Sequence, residues 1–147
     1  MNAQHEVEIL LVEDDPNDVE LTLRALKDRN FVNQVFVARD GAEALDFFFG
    51  DRKHRWHEIG IVPRVILLDL KLPKVDGLEV LRRLKGDERT RALPVVILTS
   101  SREEPDIAAA YRLGANSYIV KPVDFEAFAR AVSDVGLYWA LLNEPPH

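Results

Sequence analysis

The chain contains no cysteine. That excludes a disulfide framework and any metal site built on thiolates. It also lacks a basic excess: the formal charge is -6 at pH 7, opposite in sign to the face that DNA or an anionic membrane surface selects. No apolar run approaches the roughly 18–20 residues that span a bilayer. The opening "MNAQHEVEILLVEDD" reaches acidic residues almost at once, without the basic leader of a signal peptide. Neither nucleic acid nor a membrane is expected as a partner, and the expected location is cytoplasmic.

What is present is ordinary globular chemistry. Hydrophobic residues make up 47% of the 147 positions, enough for one domain with a proper core spanning residues 1–147. The hydrophobic period changes repeatedly along the chain. "EILLVE" (Glu8–Glu13) reads as a strand. In "DDPNDVELTLRALK", Asp15 can cap a helix with Pro16 at its first position, and Val19, Leu23 and Leu26 line one face. "QVFVA" is a second strand and "GAEALDFFF" a second helix, with Ala42, Leu45, Phe48 and Phe49 expected inward.

A polar stretch from Gly50 to Gly60 precedes Val65–Leu68, an apolar run that halts at Asp69. A helix starting near Leu78 follows, carrying Leu78, Leu81 and Leu84. "PVVILTS" is the fourth strand, and Glu103–Leu113 a helix that Gly114 is placed to end. "SYIV" is the fifth strand. The final stripe of Phe125, Phe128, Val132, Val135, Trp139 and Leu142 predicts a helix reaching almost to Asn143. Strict strand–helix alternation with continuous apolar strands implies an α/β fold, a doubly wound parallel sheet of five strands flanked by five helices.

In such folds the ligand site lies beyond the carboxyl ends of the strands. The first strand ends in Glu13, Asp14 and Asp15, the third in Asp69, the fourth in Thr99 and Ser100, and the fifth runs into Lys121. Carboxylates brought that close need compensation. A hard divalent cation supplies it, and oxygen ligands with room for water suit Mg2+. Lys121 is a point charge able to hold a phosphate oxygen. Together these groups suit a site that receives a phosphoryl group, with Asp69 as nucleophile giving an aspartyl phosphate.

Four stretches, "LLVEDD", "VILLDLKLPKVDG", "PVVILTS" and "GANSYIVKP", resemble in order and spacing the receiver domain of two-component response regulators, from about Val7 to Val135. The resemblance implies a flavodoxin-like sheet of strand order 2-1-3-4-5. It implies Asp69 as phosphoacceptor, and Asp14 and Asp15 as the Mg2+-binding pair, Asp15 directly and Asp14 through water. The backbone carbonyl of Lys71 would be a further ligand. Thr99 corresponds to the switch hydroxyl, Tyr118 to the switch aromatic and Lys121 to the lysine of the pattern, its bond to Pro122 expected cis. At the place two residues beyond the phosphoacceptor, Lys71 adds a second cation with an expected effect on the lifetime of the phosphorylated form.

Each of these residues also has a plainer explanation. "EDD" alone is commonly a solvated turn with a helix cap, and Asp69 alone could be a structural cap. His54 and His57 flank Trp56 in a charged loop with no third ligand in view and read as solvated. Phe47, Phe48 and Phe49 read as helix core, and Tyr118 as an ordinary strand residue.

The tail, residues 136–147, reads as an extension of the last helix. Tyr138, Trp139, Leu141 and Leu142 offer more apolar surface than one stripe buries and suggest a homodimer contact. No output domain is expected beyond Asn143, and the resemblance implies a stand-alone, non-enzymatic response regulator of the phytochrome-associated kind. It would be phosphorylated by a sensor histidine kinase and would bind a downstream protein. Passing the phosphoryl group to a downstream histidine phosphotransfer protein is an alternative. An aspartate-nucleophile phosphohydrolase is a weaker one, because Lys71 stands where that class wants a second acid.

Overall fold

The computed structural model describes residues 9–27, 35–50, 63–100 and 103–134. Five strands alternate with five helices in the order β1 (Ile9–Val12), α1 (Pro16–Lys27), β2 (Val35–Ala38), α2 (Gly41–Phe49), β3 (Val65–Asp69), α3 (Gly77–Lys85), β4 (Val95–Thr99), α4 (Glu104–Arg112), β5 (Ser117–Val120) and α5 (Phe125–Asp134). The strands form one parallel sheet of order β2-β1-β3-β4-β5. The reversal of winding after β1 leaves a crevice between the carboxyl ends of β1 and β3, which are hydrogen-bonded neighbours.

Alternation along the strands divides the core in two. Leu10, Val12, Ile66, Leu68, Val95 and Ile97 face α2, α3 and Ala110 of α4. Ile9, Leu11, Val65, Leu67, Val96, Leu98 and Ile119 face α1 and α5, where Leu26 and Phe128 fill the layer. The central strands β1, β3 and β4 are buried at every position. Each such Leu, Ile or Val removed from water is worth about 1.5–3 kcal/mol.

Helix starts follow local chemistry. Asp15 caps α1 as expected: its Oδ1 accepts the Asn17 N–H at 2.8 Å and its carbonyl accepts the Val19 N–H at 2.9 Å. Asp40 Oδ1 accepts the Glu43 N–H at 2.8 Å to start α2, and Asp76 does the same for α3 through the Leu78 N–H at 3.0 Å. Gly114, at φ +110°, closes the turn after α4 in a conformation that other residues rarely adopt.

The faces of two helices differ from the sequence expectation. In α2 the buried residues are Ala44, Leu45, Phe47 and Phe48, while Ala42 and Phe49 are only partly buried. The rotation has a cause at the first turn. A Cβ on Gly41 would lie 1.8 Å from the Val75 carbonyl oxygen, so backbone packs on backbone there and sets the helix about its axis. Phe49 is left at the rim with the Arg89 guanidinium 5.2 Å from its ring centre. In α1, Thr22 joins Val19 and Leu26 in the buried set and Leu23 moves to the margin.

The expected continuation of α5 to Asn143, the 136–147 extension with Tyr138, Trp139, Leu141 and Leu142, and the loop carrying His54, Trp56 and His57 lie outside the described residues.

Candidate functional site

Three strand ends build the site. Beyond β1 the Glu13 N–H donates to the Ala38 carbonyl at 2.9 Å, so the chain keeps its extended path for one more residue and Glu13 is fully buried. Asp14 then turns outward and is exposed. At the end of β3, Asp69 is 4% exposed. Its Oδ1 accepts the Lys71 N–H at 3.2 Å, and its Oδ2 accepts from Lys121 Nζ at 3.0 Å. The loop behind it leaves no room to shift, because a Cβ on Gly77 would meet the Asp69 carbonyl oxygen at 2.2 Å. Lys121 is held to the end of β4 by its N–H, which donates to the Thr99 carbonyl at 2.7 Å, and the Lys121–Pro122 bond is cis.

The acidic cluster is displaced by one residue from the pair named from sequence. Oxygens of Glu13, Asp14 and Asp69 all lie within 4.8 Å of one another, and Asp15 is not part of this group. Asp15 spends Oδ1 on the α1 cap, pointing along the helix start. Asp14 and Asp69 are brought together as expected. The partner of Asp14 is Glu13, which completes the run of "EDD" from its strand side.

Lys121 Nζ faces three carboxylates: Glu13 Oε1 at 2.8 Å, Asp18 Oδ2 at 3.0 Å and Asp69 Oδ2 at 3.0 Å. Burial alone would lower the pKa of its ammonium, but its bonds to Glu13, Asp18 and Asp69 outweigh that and hold it above the ordinary lysine value. Glu13 is shifted upward too, but there burial is the cause. Burial, reinforced by the charge of Asp69, pushes its carboxyl up to about 7 against the pull of Lys121. The contact from Lys121 is an ion pair without hydrogen-bond geometry, so Glu13 Oε1 is buried with no hydrogen-bond donor among the described residues. An oxygen-only cluster of three carboxylates, with a buried Glu13 oxygen that takes no hydrogen bond among the described residues, fits a hard divalent cation.

A cleft of about 480 Å³ opens beside the cluster, lined by Asp14, Lys71, Asp76 and Asp106 among others. Asp14 is the member of the acidic cluster that lines it. Thr99 is buried at the end of β4, opposite Val120. Tyr118 lies two residues back along β5 and is 38% exposed, its ring edge-on to Tyr111 with centroids 5.9 Å apart. Sequence inspection missed Asp18. The signal was available: Asp18 sits in the first turn of α1, and helical side chains tilt toward the N-terminus, here toward the strand ends.

Residues 9–133 match the response regulator receiver domain family. The chain is 43% identical over 148 residues to "Probable methanogenesis regulatory protein FilR2" of Methanothrix harundinacea, covering 99% of this chain and 92% of that protein. It is 36% identical over 131 residues to response regulator Rcp1 of Synechocystis, covering 89% of this chain and 87% of Rcp1. Among solved structures, the bacteriophytochrome response regulator AtBRR matches with a TM-score of 0.82 and 55% identity, over 95% of this chain and 99% of that one. The Mn2+-bound form of Rcp1 matches with a TM-score of 0.72 and 34% identity, over 96% and 99% of the two chains. No helix among the described residues is long and apolar enough to cross a membrane. With the fold, the strand-end residues and these similarities in agreement, the chain belongs to the response regulator receiver domain family of two-component signalling proteins.

Proposed function

We propose that this receiver accepts a phosphoryl group on Asp69 from a phosphohistidine of a sensor kinase, and that the phosphorylated form signals to a protein partner. The observation that carries this is the Asp69 carboxylate, nearly buried, with Oδ2 3.0 Å from the Lys121 ammonium and its oxygens grouped with those of Glu13 and Asp14.

In the transfer a carboxylate oxygen of Asp69 forms the new P–O bond as the P–N bond to the donor histidine breaks. Glu13, Asp14 and Asp69, with the backbone carbonyl of Lys71, would hold the divalent cation. When bound, that cation neutralises charge on the transferring phosphoryl oxygens. That Rcp1 has a Mn2+-bound form supports a divalent cation for this chain, and Mg2+ is the proposed physiological ion. Lys121 offers its ammonium to a phosphoryl oxygen, exchanging a carboxylate partner for a more highly charged one. The cleft beside Asp14 admits the donor.

The product adds roughly -1.5 to -2 charge and three acceptor oxygens at Asp69. Thr99, buried one strand away, turns its hydroxyl toward them. Tyr118 leaves its exposed position against Tyr111 for the space that Thr99 vacates. The surface formed by α4, β5 and α5 changes with it, a shift between two pre-existing states. The name of AtBRR supports a phytochrome-type kinase as donor. Self-association through the apolar tail rests on sequence alone, and Trp139→Ala then lowers the apparent mass in dilute solution.

The test of the proposal is labelling by acetyl phosphate with Mg2+. Wild-type protein takes up label and Asp69→Asn takes up none that is stable. Equal labelling of the two removes Asp69 from the mechanism.

A further inference from the structure

We propose that Asp18 is a positioning residue for Lys121, and that it keeps the ammonium beside Asp69 when a divalent cation draws on the other carboxylates. This rests on the phosphoryl-acceptor function proposed above. Three carboxylates surround Lys121 Nζ: Glu13 at 2.8 Å as an ion pair, and Asp18 and Asp69, each at 3.0 Å, as acceptors of its hydrogen bonds. The three partners are not equivalent. Glu13 and Asp69 belong to the cluster of oxygens that share one small volume with Asp14, and Asp18 does not.

That inequality matters as soon as charge enters the cluster. A cation held by Glu13, Asp14 and Asp69 satisfies their oxygens and repels Lys121, so two of the three contacts fixing Nζ weaken together. Lysine is a point charge on a flexible four-carbon stem. With those contacts weakened, only a carboxylate outside the cluster can keep the head group from swinging away. Asp18 is the partner of Lys121 that meets this condition. It comes from the first turn of α1, reaching across 103 positions of sequence, with a side chain 30% exposed. The plainer role, an acid at a helix N-terminus favoured by the macrodipole, concerns stability alone and makes no demand on Lys121.

Two readouts separate these roles. The first is the NMR signal of the Lys121 side-chain ammonium in Mg2+-loaded protein. Wild type gives a slowly exchanging ammonium resonance, and Asp18→Asn, similar in size but uncharged, loses it. The second is the rate of labelling by acetyl phosphate in a double-mutant cycle. Asp18→Asn slows labelling about tenfold, as expected for a misplaced charge at a reacting centre. Asp18→Glu, with its charge on a longer stem, recovers most of the loss. In a Lys121→Gln background, Asp18→Asn costs nothing further.

An ammonium resonance unchanged in Asp18→Asn overturns the inference, and so does an equal slowing in both backgrounds. Failure of the function itself looks different. If wild type takes no label, or Asp69→Asn labels like wild type, the phosphoryl proposal falls, while the ammonium resonance still reports whether Asp18 holds Lys121.

Discussion

Two lysines, one at each end of the sheet, have lost much of their access to water and differ in everything else. Lys121 lies at the carboxyl end, where its three partners are carboxylates. Lys85 ends α3 near the amino ends of β4 and β5. Its Nζ donates to the carbonyls of Leu93 at 2.8 Å and Arg91 at 3.1 Å, with Asn116 Oδ1 at 3.4 Å. Those acceptors are neutral, so burial is unopposed and lowers the Lys85 pKa, whereas the carboxylates raise that of Lys121.

Lys85 is a tie. It joins the end of α3 to the turn before β4, close to Asn116, whose Oδ1 also accepts the Val95 N–H at 2.9 Å. Thr90 completes that corner, its hydroxyl donating to the Leu84 carbonyl at 2.6 Å. Every polar group named there has a partner. At the other end an excess of carboxylates surrounds one ammonium, and Glu13 Oε1 has an ion pair but no hydrogen bond among the described residues. A region whose charges balance only when something else binds is built for a ligand, and a region already satisfied is built for stability.

The largest effect that separates the two comes from Lys121→Gln. Removing the ammonium leaves buried carboxylates facing one another and is expected to cost about 3 kcal/mol at neutral pH without divalent metal. Millimolar Mg2+ restores most of it, since the cation replaces the missing charge. Denaturant melts with and without Mg2+ measure this, and a midpoint insensitive to both mutation and metal contradicts the charge excess. Lys85→Met has a smaller effect, about 1–2 kcal/mol from carbonyls left without a donor. It carries no rescue by Mg2+ and no change in acetyl phosphate labelling. A labelling defect in this variant would break the division between the two ends.

The smallest effect is on pH dependence. The folded pKa of Lys85 lies below the ordinary value of 10.5, so between the two the unfolded chain binds more protons than the folded one. Stability contributed by this site therefore rises with pH across that window. The slope of wild type minus Lys85→Met on the alkaline side measures it, and a difference that falls with pH contradicts the direction of the shift.

Much of this was legible in the sequence because it depends on local patterns. Continuous apolar runs marked the five strands, Asp15 before Pro16 marked the start of α1, and Asp69, Thr99 and Lys121 marked strand ends. What was not legible depends on the third dimension. The acidic cluster uses Glu13 and Asp14 where Asp14 and Asp15 were expected, because a hydrogen bond to Ala38 extends the β1 path by one residue and the helix cap claims Asp15. The face of α2 was rotated by the contact between Gly41 and Val75, which no periodicity encodes. Asp18 resembled any acid in a first helical turn, and only its meeting with Lys121 from the far end of the chain sets it apart.

The claim on which the rest depends is that the phosphoryl group ends on Asp69. Borohydride reduction of protein freshly treated with acetyl phosphate and Mg2+, followed by peptide mass mapping, tests it directly by converting an acyl phosphate to an alcohol in place. The modified residue is expected at position 69, dependent on Mg2+ and absent when the metal is chelated. Conversion at Asp14, Asp18 or another acid in place of Asp69 would contradict it.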